Sequence, residues 1–210
     1  MKNPVSKAVY LFVLFASTFI FAQQNEEFRS TKRFFDYQRD MLAKEFQKHL
    51  NAEKNPFQQA LAKKDYADFM VKLDSIQNNA FINTLIKVKN REDLDAYTTL
   101  PEVQLKNPPR ETLTEQAQYP GGFEKLRTQV ADLFYQESVH ADEKHIRAEV
   151  LFMVERDGTI SNVHAEGHNF TFNRQAEIAL YLLPEKFSPA KSNGNAVRYR
   201  FRLPLALTFD

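Results

Sequence analysis

The stretch that most constrains the fold is residues 148–165, AEVLFMVERDGTISNVHA, which predicts a β-hairpin. Hydrophobic side chains alternate along its first half, so one face of that strand is apolar. Asp157 and Gly158 form the predicted turn, because both residue types tolerate the positive φ that tight hairpins need. In the second half, Ile160 and Val163 can share a face only if a β-bulge lies between them. The hairpin therefore needs other elements to cover its apolar face.

The composition excludes several classes of function. The chain has 28 Lys+Arg against 27 Asp+Glu, so its charge favours no nucleic acid and no other strongly charged partner. It has no cysteine, which excludes disulfides, thiolate nucleophiles and cysteine zinc sites. The sequence also lacks a Walker motif, a dinucleotide glycine motif and a nucleophile elbow. We therefore predict no cofactor, no catalytic residues and a protein that is not an enzyme.

Residues 1–22 have the pattern of an export signal. Lys2 and Lys7 come first, an uncharged apolar run follows at residues 8–22, and polar residues come after Ala22. The run is shorter than the roughly 20 residues of a membrane span. Cleavage after Ala22 is therefore predicted, which would give a periplasmic protein. The alternative is an uncleaved segment that anchors the chain to the inner membrane.

The region 23–99 is predicted to be helical and separate from the C-terminal half of the chain. It contains no glycine, and its apolar residues recur at helical spacing. Asn55 and Pro56 are predicted to start the second helix, as N-cap and first helical residue. A third, shorter helix is predicted over residues 81–88. We expect these helices to pack on one another, with docking of a partner protein as the alternative.

A Pro-containing linker, residues 100–117, is predicted to lead into a C-terminal domain, residues 118–210. The order of elements predicted there is helix, strand, strand, helix, strand. Gly121 and Gly122 are predicted to open the first helix, and Asn173 to cap the second. The fold class that buries every apolar stripe is α+β, a three-stranded antiparallel sheet with two helices on one face.

Two polar groupings in this domain allow more than one interpretation. The last strand places Arg198, Arg200 and Arg202 on one face, which could bind a carboxylate or phosphate or could simply be solvated. The second grouping consists of four histidines and two acidic residues, which are types that can bind a metal ion. Their spacing matches no known ligand pattern, so we prefer to interpret the histidines as surface residues. Its members are His140, Asp142, Glu143, His145, His164 and His168.

Several short motifs within about residues 118–209 resemble the TonB C-terminal domain family. They succeed one another at family-like spacing, and together they are fairly specific. The resemblance implies the TonB C-terminal fold, here preceded by a helical N-terminal region. The motifs are Gln118-Tyr119-Pro120, the YPGGF that begins at Tyr119, VERDGTI at 154–160, PEKFSPA at 184–190 followed by Asn193-Gly194, and Leu203-Pro204-Leu205.

The resemblance also implies a role in the cell envelope. TonB C-terminal domains bind a short peptide of an outer-membrane receptor, which adds to the sheet as an extra strand and serves TonB-dependent transport. A free strand edge suits this task, since its unpaired N–H and C=O groups accept a peptide with little demand on sequence. An outer-membrane receptor or another envelope protein is the implied partner. The implied peptide contacts are Gln118, Tyr119, Arg198, Tyr199, Arg200, Phe201 and Arg202.

The chain departs from the family pattern at three points. The first apolar segment has no histidine, the long Pro-rich spacer is missing, and Phe187 stands where the family usually has Trp. A TonB-like binding module is therefore favoured over a complete energy transducer. The alternative function is an envelope adaptor or structural protein that binds through its helical region and uses the TonB-like fold as a scaffold.

Overall fold

The computed structural model describes residues 26–98, 112–140 and 144–208. The signal or anchor predicted for residues 1–22 lies outside these ranges, and no described helix is long and apolar enough to cross a membrane. The helices are α1 (Glu26–Ala52), α2 (Pro56–Thr98), α3 (Gly122–Asp132) and α4 (Phe170–Tyr181), with a 3-10 turn at Gln136–Ser138. The strands are β1 (Leu113–Glu115), β2 (His145–Val154), β3 (Ile160–Gly167), β4 (Ala190–Ser192), β5 (Asn195–Val197) and β6 (Tyr199–Thr208).

Helices α1 and α2 pack against each other as a helical hairpin. The predicted start of α2 is confirmed: Pro56 is its first residue, and Asn55 Oδ1 accepts the N–H of Phe57 at 2.9 Å. The prediction of a third helix over residues 81–88 is wrong. Helix α2 continues through them, because neither glycine nor proline interrupts it.

The strands form two three-stranded antiparallel sheets. One has the order β3-β2-β6 and is the sheet that the sequence predicted. The other, β1-β4-β5, was not predicted, and its first strand comes from the predicted linker. The predicted last strand, which carries Arg200 and Arg202, does not include Arg198. Val197 pairs with Ala190 in the small sheet, and Tyr199 pairs with Val154 in the large one, so the chain changes sheets at Arg198.

The β2–β3 hairpin contains the bulge that its sequence requires. Leu151 pairs with His164 and Met153 with Ser161, so β3 has one extra residue over this stretch. Asn162 takes up the irregularity with a φ of 51°. Both Ile160 and Val163 are buried as a result.

Helices α3 and α4 share the core with the buried face of the large sheet. The predicted cap of α4 is wrong by one turn: Asn169 Oδ1 accepts the N–H of Phe172 at 2.8 Å, which makes Asn169 the N-cap. Asn173 lies inside the first turn, where its Nδ2 donates to Gly167 O at 2.9 Å. Phe123, the first apolar residue of α3, is exposed, whereas Leu126 and Val130 are buried.

The base of the helical hairpin belongs to this same core. Phe28 of α1 and Phe81, Leu85 and Val88 of α2 are buried and cluster with residues of β2, β3 and α4. The ring of Phe28 stacks on that of Tyr181 in α4, with centroids 5.2 Å apart. The hairpin is thus fixed to the sheet by apolar burial, which is the dominant stabilising term in folding.

Replacing Gly158 with alanine is expected to destabilise the fold by about 2–3 kcal/mol. Its φ is +82°, and an added Cβ would lie 2.0 Å from Phe187 O, which must then move. Gly194 is the matched control, since its φ is +79° but nothing lies within 4 Å of an added Cβ. Gly194→Ala should therefore cost about 1 kcal/mol, the backbone term alone. Urea unfolding measures both, and equal losses would contradict the proposed clash.

Candidate functional site

The large sheet has two edges, β3 and β6, and side chains of α4 close the first. Ala165 N–H donates to Glu177 Oε1 at 3.0 Å, and Val163 N–H donates to Tyr181 Oη at 3.2 Å. Both groups point out of the sheet, where an added strand would otherwise pair with them. The outer side of β3 is therefore occupied by the protein itself.

Helix α2 completes this closure from the other side. Lys89 Nζ donates to Val163 O at 3.2 Å, and Glu92 Oε1 accepts the N–H of Asn162 at 2.9 Å. Lys89 Nζ also lies 2.8 Å from Oε1 of Glu177, whose side chain is fully buried. The β3 edge is thus capped by charged side chains of two helices.

Burial raises the pKa of Glu92 above its ordinary value. The Asn162 N–H, the Tyr181 hydroxyl and the charges of Lys89 and Arg91 offset only part of this rise. Burial likewise raises the pKa of Tyr181, and the nearby Glu92 carboxylate adds to the effect. Tyr181 therefore stays protonated and donates to both Glu92 oxygens, at 2.9 and 2.8 Å.

The raised pKa predicts how stability depends on pH. The folded protein binds the proton of Glu92 more tightly than the unfolded chain does, so protonation of Glu92 stabilises the fold. This contribution to the unfolding free energy is fully present below the pKa of Glu92 in the unfolded chain and is lost as pH rises through its pKa in the folded protein. Glu92→Gln should remove this dependence, so its unfolding free energy relative to wild type should rise as the pH increases above the ordinary pKa of a glutamate, about 4.3. Urea unfolding at several pH values measures this, and a difference that does not change with pH would contradict it.

The second edge of the sheet, β6, pairs with β2 alone among the described strands. The direction of its backbone groups is set by the ladder, because N–H and C=O of one residue point to the same side and alternate along a strand. The N–H of Ala165 points away from β2, so the N–H and C=O of its partner Val150 point toward β6, where Val150 pairs with Leu203. The N–H and C=O of Leu203 therefore point toward β2. Those of Arg202 and Arg200 point to the opposite side, away from the sheet.

Pro204 agrees with this assignment. It falls in the outward-directed set, where the missing N–H of proline costs no ladder hydrogen bond. Because Pro204 has no N–H, an added strand cannot accept a backbone hydrogen bond at this position in the middle of β6. The stretch of β6 best able to pair with a further strand is therefore Tyr199 to Arg202.

A groove of about 460 Å³ runs beside this stretch. Four of the predicted contact residues line it together. The segment before α3 and strand β2 supply the remaining lining residues, which sequence reasoning did not identify. The lining is formed by Tyr199, Arg200, Phe201, Arg202, Gln116, Ala117 and Leu151.

Gln118 and Tyr119 are not among the residues that line the groove. The backbone of Gln118 exchanges two hydrogen bonds with Ser188, at 3.0 and 2.8 Å. Tyr119 is 3% exposed, and its hydroxyl donates to Gln129 Oε1. Its ring packs edge-on against Phe187, with centroids 5.0 Å apart. Tyr119 is therefore a core residue and not a surface contact. Gln118 is exposed, so contact through its side chain stays a prediction, although its backbone is already paired with Ser188.

The arginines of this face differ in position. Arg202 forms an exposed ion pair with Glu149 at 2.9 Å, which contributes little to stability but keeps a cation beside the groove. Arg198 lies outside the groove lining and pairs with Glu155 at 2.6 Å. Both guanidinium groups therefore already have a carboxylate partner within the chain.

The predicted histidine grouping does not come together as a metal centre. Asp142 and Glu143 lie outside the described residues, and in the ranges that are described no group of three or more His, Cys, Asp or Glu could hold a metal ion. His164 Nε2 lies 3.4 Å from Glu166 Oε1 at the surface. Nothing in this geometry assigns catalytic chemistry to the histidines.

The closed β3 edge could be found from the sequence only in part. The buried Glu177 lies among apolar residues of a helix, which signals a partnered charge, but its partner Lys89 is 88 positions away. Alternation along β6 did identify the arginine-bearing strand. Its partner across the groove, residues 116–117, falls in the predicted linker and carries no pattern.

No family model, curated protein or solved structure matches the chain. The likeness to the TonB C-terminal domain therefore rests on the sequence motifs and their order.

Proposed function

We propose that this protein binds an extended segment of another protein by strand addition to β6. The observation that carries the proposal is the difference between the two edges of the sheet. The β3 edge is capped by Glu177, Tyr181 and Lys89, whereas Arg200 and Arg202 direct their backbone groups out of β6 beside a groove. A strand edge that pairs with no further strand among the described residues can give affinity through main-chain hydrogen bonds.

The partner we propose is an outer-membrane receptor or another protein of the envelope. Support comes from the TonB-like motifs and from the order α3, β2, β3, α4, β6 of the large sheet and its two helices, with β4 and β5 of the small sheet inserted before β6. A periplasmic location and participation in TonB-dependent transport belong to the same proposal and rest on the export-type residues 1–22.

Arg200→Pro is expected to weaken peptide binding about 10- to 100-fold, the equivalent of roughly 1–3 kcal/mol for an unmade hydrogen bond. The change removes an outward N–H, as Pro204 already does naturally, and leaves the β2–β6 ladder intact. Arg200→Ala is the matched control, because it removes the side chain and keeps the N–H. Isothermal titration with synthetic peptides from the periplasmic N-termini of outer-membrane receptors measures the effect.

The two variants separate recognition by the backbone from recognition by the side chain. We expect Arg200→Ala to bind within about threefold of wild type, since a rim charge contributes modestly to affinity. If both variants lose binding equally, or if Arg200→Pro binds like wild type, strand addition at this edge is wrong. Unfolding curves of both variants should match that of the wild type.

A second candidate function is an envelope adaptor that binds through the helical hairpin. The observation in its favour is the number of large apolar side chains that the hairpin exposes, among them Phe34, Tyr37 and Phe69. Deleting the hairpin cannot test this, because Phe28 and Leu85 belong to the core. Exposed positions must be substituted instead. Loss of partner capture in Tyr37→Glu, with capture retained in Arg200→Pro, would favour the adaptor.

A further inference from the structure

One face of the helical hairpin is exposed and apolar. Phe34, Tyr37 and Met41 succeed one another on α1 at intervals of three and four residues, which places them on one side of the helix. Phe69 and Ile76 are seven residues apart on α2 and likewise share a side. All five are between 44% and 61% exposed. We call these five residues the hairpin face.

The two rows lie side by side. Arg39 of α1 pairs with Asp74 of α2 at 2.6 Å, which fixes the register of the two helices. The two helices are antiparallel, so moving two residues back along α1 corresponds to moving two residues forward along α2. Tyr37 is therefore level with Ile76. The rows therefore form one continuous patch and not two separate ones.

The hairpin face points away from the sheet. Asn78 faces α4, since its Oδ1 accepts from Gln175 Nε2 at 2.8 Å. At about 100° per residue, Ile76 and Phe69 lie roughly 160–180° around α2 from Asn78. On α1, Tyr37 lies about 180° around the helix from the core residue Phe28. The patch is therefore open to solvent on the outer side of the molecule.

We propose that the hairpin face is the interface of a homodimer in which two hairpins pack as a four-helix bundle about a twofold axis. From their exposed fractions, and side-chain areas of about 150–250 Å² for aromatic residues, the five side chains expose on the order of 500 Å² per chain. Two copies would bury about 1,000 Å² through these residues alone, which reaches the threshold for a specific interface.

The charges around the hairpin face suit a second copy of the chain. Lys44 pairs with Asp40 at 2.6 Å, and Lys48 Nζ lies 3.7 Å from Glu45 Oε2, both within α1 and beside Tyr37 and Met41. In a twofold interface the same patch meets itself, so an excess of one charge sign on it would repel. Since these charges are neutralised within the chain, pairing of like faces meets little electrostatic opposition. A basic face, which would suit an anionic membrane, is not formed by these pairs.

Sedimentation equilibrium of the protein, purified as it occurs in its expressing cells, tests the proposal. We expect twice the chain mass at micromolar concentration. Tyr37→Glu should weaken the dimer at least tenfold, because it places a carboxylate in the middle of the hairpin face of each chain. Phe57→Glu is the matched control: Phe57 is 72% exposed on the same hairpin but lies outside the hairpin face, and its replacement should leave the dimer unchanged.

A cross-linking experiment locates the contact independently of affinity. The chain has no cysteine, so Tyr37→Cys carries a single thiol. We expect it to form a covalent dimer under mild oxidation, and Phe57→Cys to remain a monomer. A wild type that stays monomeric at about 100 µM would overturn the proposal. Flotation of that monomer with phosphatidylglycerol vesicles would instead assign the hairpin face to a membrane.

Discussion

Phe28→Ala is expected to destabilise the whole protein by about 3–5 kcal/mol. Phe28 is 1% exposed, and its ring stacks between Phe81 of α2 and Tyr181 of α4, with centroids 6.0 and 5.2 Å away. Truncation removes buried area and leaves a cavity at the point where the hairpin meets the sheet. Phe57→Ala, at an exposed position of the same hairpin, should change stability by no more than about 0.5 kcal/mol.

The readout that decides the matter is hydrogen exchange in β2, far from the substitution in sequence. If hairpin and sheet share one cooperative core, Phe28→Ala lowers the protection of the β2 amides by the full loss of stability. If those amides keep their wild-type protection while helical circular dichroism falls, the hairpin unfolds alone. That outcome would support the division into separate domains that the sequence predicted.

The elements that sequence reasoning found are those whose signals are local. Alternation along β6 and the Asn55-Pro56 helix start involve neighbouring residues only. The bulge in β3 was likewise predictable, because Ile160 and Val163 are three positions apart and both apolar. The large antiparallel sheet was predictable from these patterns together with the need to bury their apolar faces.

The elements that it missed depend on contacts between distant positions. The strands of the small sheet have three residues each, too few to show a period, and β1 exists because Leu113 pairs with Ser192. Asn169 and Asn173 are equally good caps by residue type. The choice between them depends on Asn173 reaching the carbonyl of Gly167, which only the folded hairpin brings near.

The candidate site was predictable in the same uneven way. The arginine-bearing strand was identified, but Tyr119 was predicted as a contact and is a core residue. More important, the sequence could not show which edge of the sheet is capped by the helices. That depends on Lys89 reaching Val163, 74 positions away, and on Glu177 reaching Ala165 from a helix whose rotation is set by packing.

Glu177→Ala is expected to destabilise the protein by about 3–4 kcal/mol, because it removes the acceptor of a buried N–H, the partner of two cations and the volume of a buried side chain. Glu177 is fully buried and accepts from Ala165 N–H, while Lys89 and Arg174 lie 2.8 and 2.5 Å away. The two cations are partly exposed and can regain water. The larger part of the loss therefore comes from the unmade hydrogen bond of Ala165 and from the cavity.

Glu177→Gln is the comparison that separates these contributions. It keeps an oxygen for Ala165 N–H and fills the same space, so we expect a loss of about 1–2 kcal/mol from the missing charge alone. Urea unfolding at neutral pH measures both variants. Equal losses would mean that the ion pairs, and not the edge hydrogen bond, account for the stabilisation.

The alanine variant has a second expected consequence, which concerns the choice of edge. With the Ala165 N–H uncovered, β3 would offer an unpaired backbone donor at the edge of the sheet, and strands of two molecules could pair there. We therefore expect Glu177→Ala to show concentration-dependent light scattering under conditions in which it is still folded, and Glu177→Gln to stay clear. If Glu177→Ala also stays clear, the Glu177 carboxylate stabilises the fold but does not prevent β3 from pairing with another strand. The reason why β6 and not β3 would accept a strand must then lie in the groove beside β6.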